Sequence, residues 1–227
     1  MEAAMTVNSP GMSHRPRQQI HWALPLVLVV ATAGALFIDI STALVFSEKR
    51  LPASIDRPLR EYLELCETFG HGFGAIVILI TVVVLDPSSR RFVPWLVAGS
   101  LGSGLVANLL KYTVPRTRPR DFELVTKTVW QTFEKANETG WGMQSFPSAH
   151  TATAAGLAVM LSALYPRGRW WFALLAALAG LQRIVSNAHF PSDVLAGAAV
   201  GWIVANLCVQ AMPVSVGEAE AVPKPAV

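Results

Sequence analysis

Cysteine is nearly absent: Cys66 and Cys208 are the two in 227 residues. No Cys/His spacing that would hold zinc accompanies them. The topology read below puts them near opposite faces of a bilayer, too far apart to bridge, so both read as packing residues. Charge is scarce as well. Asp, Glu, Lys and Arg make up 15% of the chain, against roughly 25% in soluble domains. The net charge is only +3, and no basic stripe lies on a polar face, which excludes a nucleic-acid binder. No internal repeat is apparent.

What is present is apolar. Hydrophobic residues account for 52% of the chain and the mean hydropathy is +0.43. They fall in long runs, which reads as one membrane domain. Six segments come near the ~20 residues needed to span a bilayer: 21–40, 69–85, 92–110, 149–165, 170–188 and 194–212. Residues 1–19, with Pro10, Arg15, Pro16 and Arg17, read as a disordered cytoplasmic tail, and 213–227 as a polar C-terminal tail. The expected fold is therefore all-α: a bundle of six transmembrane helices over residues 20–212, with loops above the site described next. The first run follows two arginines, as a signal peptide would. It is longer than a signal core of about 7–15 residues and reads as an uncleaved anchor.

Arg90 and Arg91 join the second and third segments, and Arg167 and Arg169 the fourth and fifth. With Arg15 and Arg17 they share one side, which the positive-inside rule makes cytoplasmic. Trp22, Trp95, Trp170 and Trp171 fall at the same edge, where interfacial anchors belong. On the other side Lys49, Arg50, Arg57 and Arg60 are interleaved with Glu48, Asp56, Glu61 and Glu64. Loop 47–68 carries Ile55, Leu59, Tyr62, Leu63 and Cys66 on a helical period, as a helix lying on the outer interface would. Segment 122–133 has a similar stripe of Phe122, Val125, Val129 and Phe133, with Trp130 beside it. Either stripe serves to pack on protein or to form a ramp for a lipid. Gly197-x3-Gly201, and Gly99 to Gly104, allow close helix approach.

Three polar clusters sit where apolar segments meet loops. Pro147-Ser148 precedes a long apolar helix, so Ser148 is an N-cap and the next amides point outward, where an anion is favoured. His150 follows in the first turn. Arg183 lies near the end of the fifth segment, at a depth where ionised groups usually face a cavity or a partner. His189 ends that segment and Asp193 starts the next, with the turn at Phe190-Pro191 between them. An Asp there can accept one imidazole N–H and leave the other nitrogen free to attack. Lys111 ends the third segment, and Arg118-Pro119 lies seven residues on. Arg grips phosphate oxygens bidentately and Lys supplies a point charge. Read singly, each cluster has an ordinary explanation: a capped helix, a snorkelling Arg, a surface cap, a basic patch on lipid headgroups. Together they offer a phosphate-binding and phosphate-transferring set.

In this order and spacing, Lys111-x6-Arg118-Pro119, Pro147-Ser148-Ala149-His150 and Arg183-x5-His189-x3-Asp193, the chain resembles the type 2 phosphatidic acid phosphatase superfamily, which also includes the vanadium haloperoxidases. The resemblance covers about residues 20–212 and the six-segment layout of the family's bacterial membrane members. It implies a lipid phosphate phosphatase in which His189 is the nucleophile, Asp193 orients it and His150 is the general acid. Lys111, Arg118, Arg183, Ser148 and the Ala149 amide would hold the phosphate oxygens. No carboxylate cluster near these residues would hold Mg²⁺, so no metal and no cofactor are expected. The implied partners are a lipid phosphate substrate and membrane lipids, in a bacterial inner membrane with the site on the periplasmic face. Two positions depart from the family pattern. Ala149 stands where the family has Gly, and tolerates a positive φ poorly. Gln182 stands where it has Ser, which removes a hydroxyl. Rival readings are a haloperoxidase, a lipid phosphotransferase with the same phosphohistidine, and a membrane transporter using the imidazoles as a relay.

Overall fold

The computed structural model describes residues 23–47, 52–134 and 144–213. The expected tail 1–19, all of the expected tail 213–227 beyond Pro213, and Trp22 lie outside the described residues. Eight α-helices follow in order: α1 (Ala23–Ala35), α2 (Asp39–Ser47), α3 (Ala53–Glu67), α4 (Gly72–Leu85), α5 (Val93–Leu110), α6 (Ala149–Leu164), α7 (Arg169–Val185) and α8 (Pro191–Ala211). Short 3-10 turns join them, and among the described residues there is no strand, only an isolated bridge between Arg116 and Gln144.

The ends of these helices follow from local chemistry. Ser148 caps α6, its Oγ accepting from the Thr151 amide. Pro191 opens α8 at the position where a missing N–H costs nothing. At the end of α7, Asn187 adopts φ 52°. Its N–H donates to the Ile184 carbonyl (2.9 Å) and that of Ala188 to Arg183 (3.1 Å). These two bonds form a Schellman close, in which Asn supplies the left-handed residue. The chain turns sharply there and delivers His189.

The central element is α6, which packs against α5, α7 and α8, while α1 lies on α8 and α3 on α7. Ala154, Leu157, Met160 and Leu161 of α6 are buried with Leu79 and Leu96. The approach of α8 to α6 depends on glycine: a Cβ on Gly197 would meet the Ser148 carbonyl, and one on Gly201 the Ala152 carbonyl. In lipid, where apolar surface gives helices no reason to associate, such close contact is what holds them. On the outside, Leu26, Val30, Ile80, Val84, Leu105 and Leu109 are exposed. So broad an apolar exterior belongs to an integral membrane protein.

Two helical stretches, Pro87–Leu110 and Pro191–Ala211, are long and apolar enough to cross a membrane singly. The pairs α1–α2 and α3–α4 meet the same test only together, and are bent by 69° and 56°. The first expected segment, 21–40, is therefore a straight run only to Ala35. The chain turns at 36–38 and Asp39 starts a new helix, because a carboxylate at that depth is drawn to a buried partner. The loop at 47–68 is helical as expected, from Ala53 to Glu67. Leu63 is buried while Ile55, Tyr62 and Leu65 are exposed. The stripe at 122–133 is not one helix, since only Val129–Phe133 forms a 3-10 turn. Phe122 instead packs near Ala43, Leu124 and Phe190.

The loops carrying Arg90–Arg91 and Arg167–Arg169 share one end, where the Tyr165 hydroxyl donates to Asp86 Oδ2 (3.0 Å). The three motif clusters gather at the other end.

Candidate active site

The helix starts and ends just described bring the three clusters into one pocket. The Ser148 amide donates to the Asp193 carbonyl (2.9 Å), which fixes the start of α6 against the start of α8. His150, in the first turn of α6, lies within electrostatic reach of Arg183, His189, His71 and Lys111. Lys111 in turn feels Arg118, Asp193 and Arg183. The two imidazoles and the three cations expected from the sequence therefore stand together at one end of the bundle.

His189 is 2% exposed on its side chain. Burial pushes its pKa down to about 4, against the pull of Asp193, so the ring is neutral at pH 7. Its Nδ1 stands 3.7 Å from Asp193 Oδ2, beyond hydrogen-bond reach. The Ser145 hydroxyl mediates: it donates to Asp193 Oδ2 at 2.6 Å and lies 3.4 Å from His189 Nδ1. The direct Asp–imidazole bond expected from the sequence is thus replaced by a serine relay. Nε2 is left as the nitrogen facing away from this group.

The cation side is built from deeply placed groups. Lys111 is buried, and Arg118 Nε and Arg183 Nε are buried without a hydrogen-bond partner among the described residues. Orphaned guanidinium donors are costly unless an anion serves them. Arg183 Nη1 is bound to Glu67 Oε1 and to Gln182 Oε1, the latter at 3.1 Å. Gln182, which departs from the family pattern, thus holds the Arg183 guanidinium. Glu67 Oε1 also stands 3.6 Å from His150 Nε2, so one carboxylate faces both Arg183 and the imidazole.

Ala149 is the first residue of α6 and has no positive φ. The conformational objection to Ala at this position therefore does not arise. Ser148 Oγ accepts from Thr151 Oγ1 at 3.0 Å and from the Thr151 amide at 3.4 Å. Its own O–H remains to donate to an anion.

Asp193 has a second set of partners that the sequence reading missed. Its Oδ2 accepts from the Phe190 amide (2.8 Å) and its Oδ1 from Arg116 Nη1 (2.5 Å). Arg116 also reaches Asp39 Oδ2 (2.7 Å) from the far end of the sequence. Signals for both were present: Asp39 is a carboxylate near the end of an apolar run, and Arg116 lies inside the Lys111-x6-Arg118 motif. Glu67 and Ser145 carried no local signal. Among the described residues, no group of three or more His, Cys, Asp or Glu is arranged to hold a metal. Beside the cradle an open cavity of about 560 Å³ is lined by Phe46, Arg57, Arg60, Arg120 and Asn187, among others.

Comparison with known proteins shows the family and the fold. The sequence model of the PAP2 superfamily matches residues 92–216. Lipid A 1-phosphatase of Rhizobium johnstonii is 39% identical over 100 residues, which are 44% of this chain and 39% of that protein. Lipid A 1-phosphatase of Porphyromonas gingivalis is 32% identical over 126 residues, 52% of this chain and 24% of that one. The matches thus span less than half the length of these relatives. Decaprenylphosphoryl-5-phosphoribose phosphatase of Mycobacterium tuberculosis is 29% identical over 153 residues, 66% of this chain and 78% of that one. A crystal structure of a transmembrane PAP2-type phosphatidylglycerolphosphate phosphatase from Bacillus subtilis shares the fold, with a TM-score of 0.59 at 19% identity over 90% of this chain and 96% of that one.

Proposed function

The chain belongs to the PAP2 superfamily, and from that premise we propose that it is a membrane phosphatase hydrolysing a phosphomonoester or diphosphate of a lipid. The observation that carries the reading is a buried neutral imidazole, His189, placed among Lys111, Arg118 and His150. A tetrahedral anion held there has a nucleophile, an acid and compensating charge at once.

In the proposed reaction, His189 Nε2 attacks phosphorus as the bond to the lipid oxygen breaks. The proton of His150 goes to that leaving oxygen. Water then attacks the phosphohistidine, gives its proton to His150 and releases phosphate. Asp193, through Ser145, stabilises the imidazolium that forms. Lys111, Arg118, Arg183, the Ser148 hydroxyl and the Ala149 amide hold the equatorial oxygens. Phosphoryl transfer is governed by positioning and charge stabilisation, and fixed cations supply here what metal ions supply elsewhere.

The substrate is a lipid phosphate of the phosphatidic acid, phosphatidylglycerophosphate, polyprenyl diphosphate or lipid A type. The names of the relatives favour a lipid A phosphate or a polyprenyl-linked phosphate, and the cavity beside the cradle offers room for a headgroup. Six crossings follow if each bent pair counts once and α6 and α7 also cross, with residues 20–212 as the membrane domain and flanking tails at 1–19 and 213–227. The inner membrane, with the site on the periplasmic face, is the location this arrangement supports.

The test is phosphate release by the purified protein from a panel of these lipids in detergent containing EDTA. Release from at least one lipid, its loss in His189→Ala with the fold retained, and a chemically trapped phosphohistidine in wild type are expected. Activity that appears only on adding Mg²⁺, or full activity in His189→Ala, would overturn the reading.

A further inference from the structure

Arg116 is fully buried, and so are Asp39 and Asp193. Its guanidinium lies between two aromatic rings, 4.5 Å from the centroid of Phe133 and 4.4 Å from that of Phe190. Each nitrogen of the fork has a partner: Nε reaches Thr132 Oγ1 (3.1 Å), Nη1 reaches Ser192 Oγ (2.7 Å) and Asp193 Oδ1 (2.5 Å), and Nη2 reaches Asp39 Oδ2 (2.7 Å). Asp39 also takes the Ser192 amide (3.0 Å) and the Ser192 hydroxyl (2.5 Å). All its partners are donors, so the ionised carboxylate is the form that fits.

The arrangement poses an electrostatic problem. A lone Arg116 on Asp193 would cancel the charge that His189 needs beneath it when it becomes an imidazolium. Lys111 and Arg118 are also positive and bear on His189, as His150 does when it carries its proton. One guanidinium with two carboxylates leaves one net negative charge, however, and this offsets the positive charge that the His189 ring takes on as its nitrogen bonds to phosphorus. Asp39, Arg116, Asp193 and His189 are all buried, so this difference acts with little screening.

Resting on the reading of His189 as nucleophile, we infer that Asp39 and Arg116 are positioning residues for it. Arg116 holds Asp193 in place, and Asp39 keeps the buried cluster negative so that His189 can accept positive charge during transfer. Neither touches the substrate. The bend between α1 and α2 exists in this account to bring Asp39 to the start of α8.

The test compares Asp39→Asn with the double variant Asp39→Asn/Arg116→Gln in purified, folded protein, reading kcat, KM and the single-turnover rate of phosphohistidine formation. Asp39→Asn removes the negative excess with little change of shape. Its kcat and phosphorylation rate are expected to fall by on the order of a hundredfold, with KM within about threefold because phosphate contacts are untouched. The double variant removes both compensating charges and leaves Asp193 with Ser145 and the Phe190 amide. It is expected to recover at least about tenfold over Asp39→Asn. The double variant leaves Asp193 as a buried carboxylate without a cation, so its folding is checked by thermal unfolding in detergent, and it also decides the matter if Asp39→Asn alone does not fold. In that case recovery is judged as kcat within about tenfold of wild type. A double variant as inactive as Asp39→Asn, or one crippled by more than a hundredfold while folded, or a loss that falls on KM, would overturn the inference and leave a structural staple only. Should wild type itself form no phosphohistidine, the functional reading fails first, and the two failures are told apart.

Discussion

Lys111 shows how burial tunes a single side chain for anion binding. Burial and the nearby Arg118 push its pKa down to about 8, so a free site loses this cation just above neutrality. An anion is bound by the protonated form. Affinity is therefore full below about pH 8 and falls as pH rises through that value, by up to about tenfold per unit. Tungstate keeps its charge across this range, which makes it the probe. Its inhibition constant is expected to climb above about pH 8 in wild type and to stay level in Lys111→Arg. A level profile in wild type would remove Lys111 from the cradle. At this scale the sequence was legible where residue type and spacing suffice: Lys111, Arg118, His150, Arg183, His189 and Asp193 all reach one end of the bundle. Arg116, Asp39 and Glu67 were not, because their partners lie far away in the chain. Asp39 is read as a site residue only once α2 is seen against α8, and Glu67 only once α3 is seen against α7.

Among the helices, the pair α6–α8 carries the geometry of the site. Ser148 and Asp193 are joined by a backbone bond, and Gly197 lies directly under the Ser148 carbonyl. Gly197→Ala is expected to push α8 away from α6, moving Asp193 relative to His150. Both thermal stability and kcat should fall. Gly102 is the control, since a Cβ there meets nothing within 4 Å. Gly102→Ala is expected to leave activity unchanged and to add about 0.5–1 kcal/mol through helix propensity. Equal effects of the two substitutions, by thermal unfolding in detergent, would mean that the close approach is not needed. The length of the apolar runs located α5, α6 and α8 closely because lipid-facing helices are uniformly apolar. It ran past the break after Ala35, since nothing local distinguishes a straight span from one that a buried ion pair bends. Periodicity joined Phe122 and Phe133 into one stripe. The first packs near Phe190 and the second lies under the Arg116 guanidinium, so their shared spacing came from two different long-range contacts.

At the scale of the molecule, the two ends of the bundle differ in kind, and the difference bears on the proposed orientation in a membrane. One end holds Arg90, Arg91, Arg167 and Arg169, drawn together by the bond from Tyr165 to Asp86. These cations have no role in the site and are free to answer to the positive-inside rule. At the other end several cations are committed to partners: Arg60 binds Asp56 and the carbonyls of Val185 and Phe46, Arg116 is enclosed, and Arg183 binds Glu67. Counting only uncommitted charge therefore supports the proposal of a cytoplasmic Arg167 end with the site outside. Arg120 and Arg167 are both exposed, and the two native cysteines can be replaced to give a clean background. In intact cells a membrane-impermeant maleimide is expected to label Arg120→Cys and to spare Arg167→Cys until the membrane is opened. The reverse pattern would turn the protein over and place phosphate release on the cytoplasmic side. Substrates would then have to be presented by the inner leaflet, even though every distance within the site stayed the same.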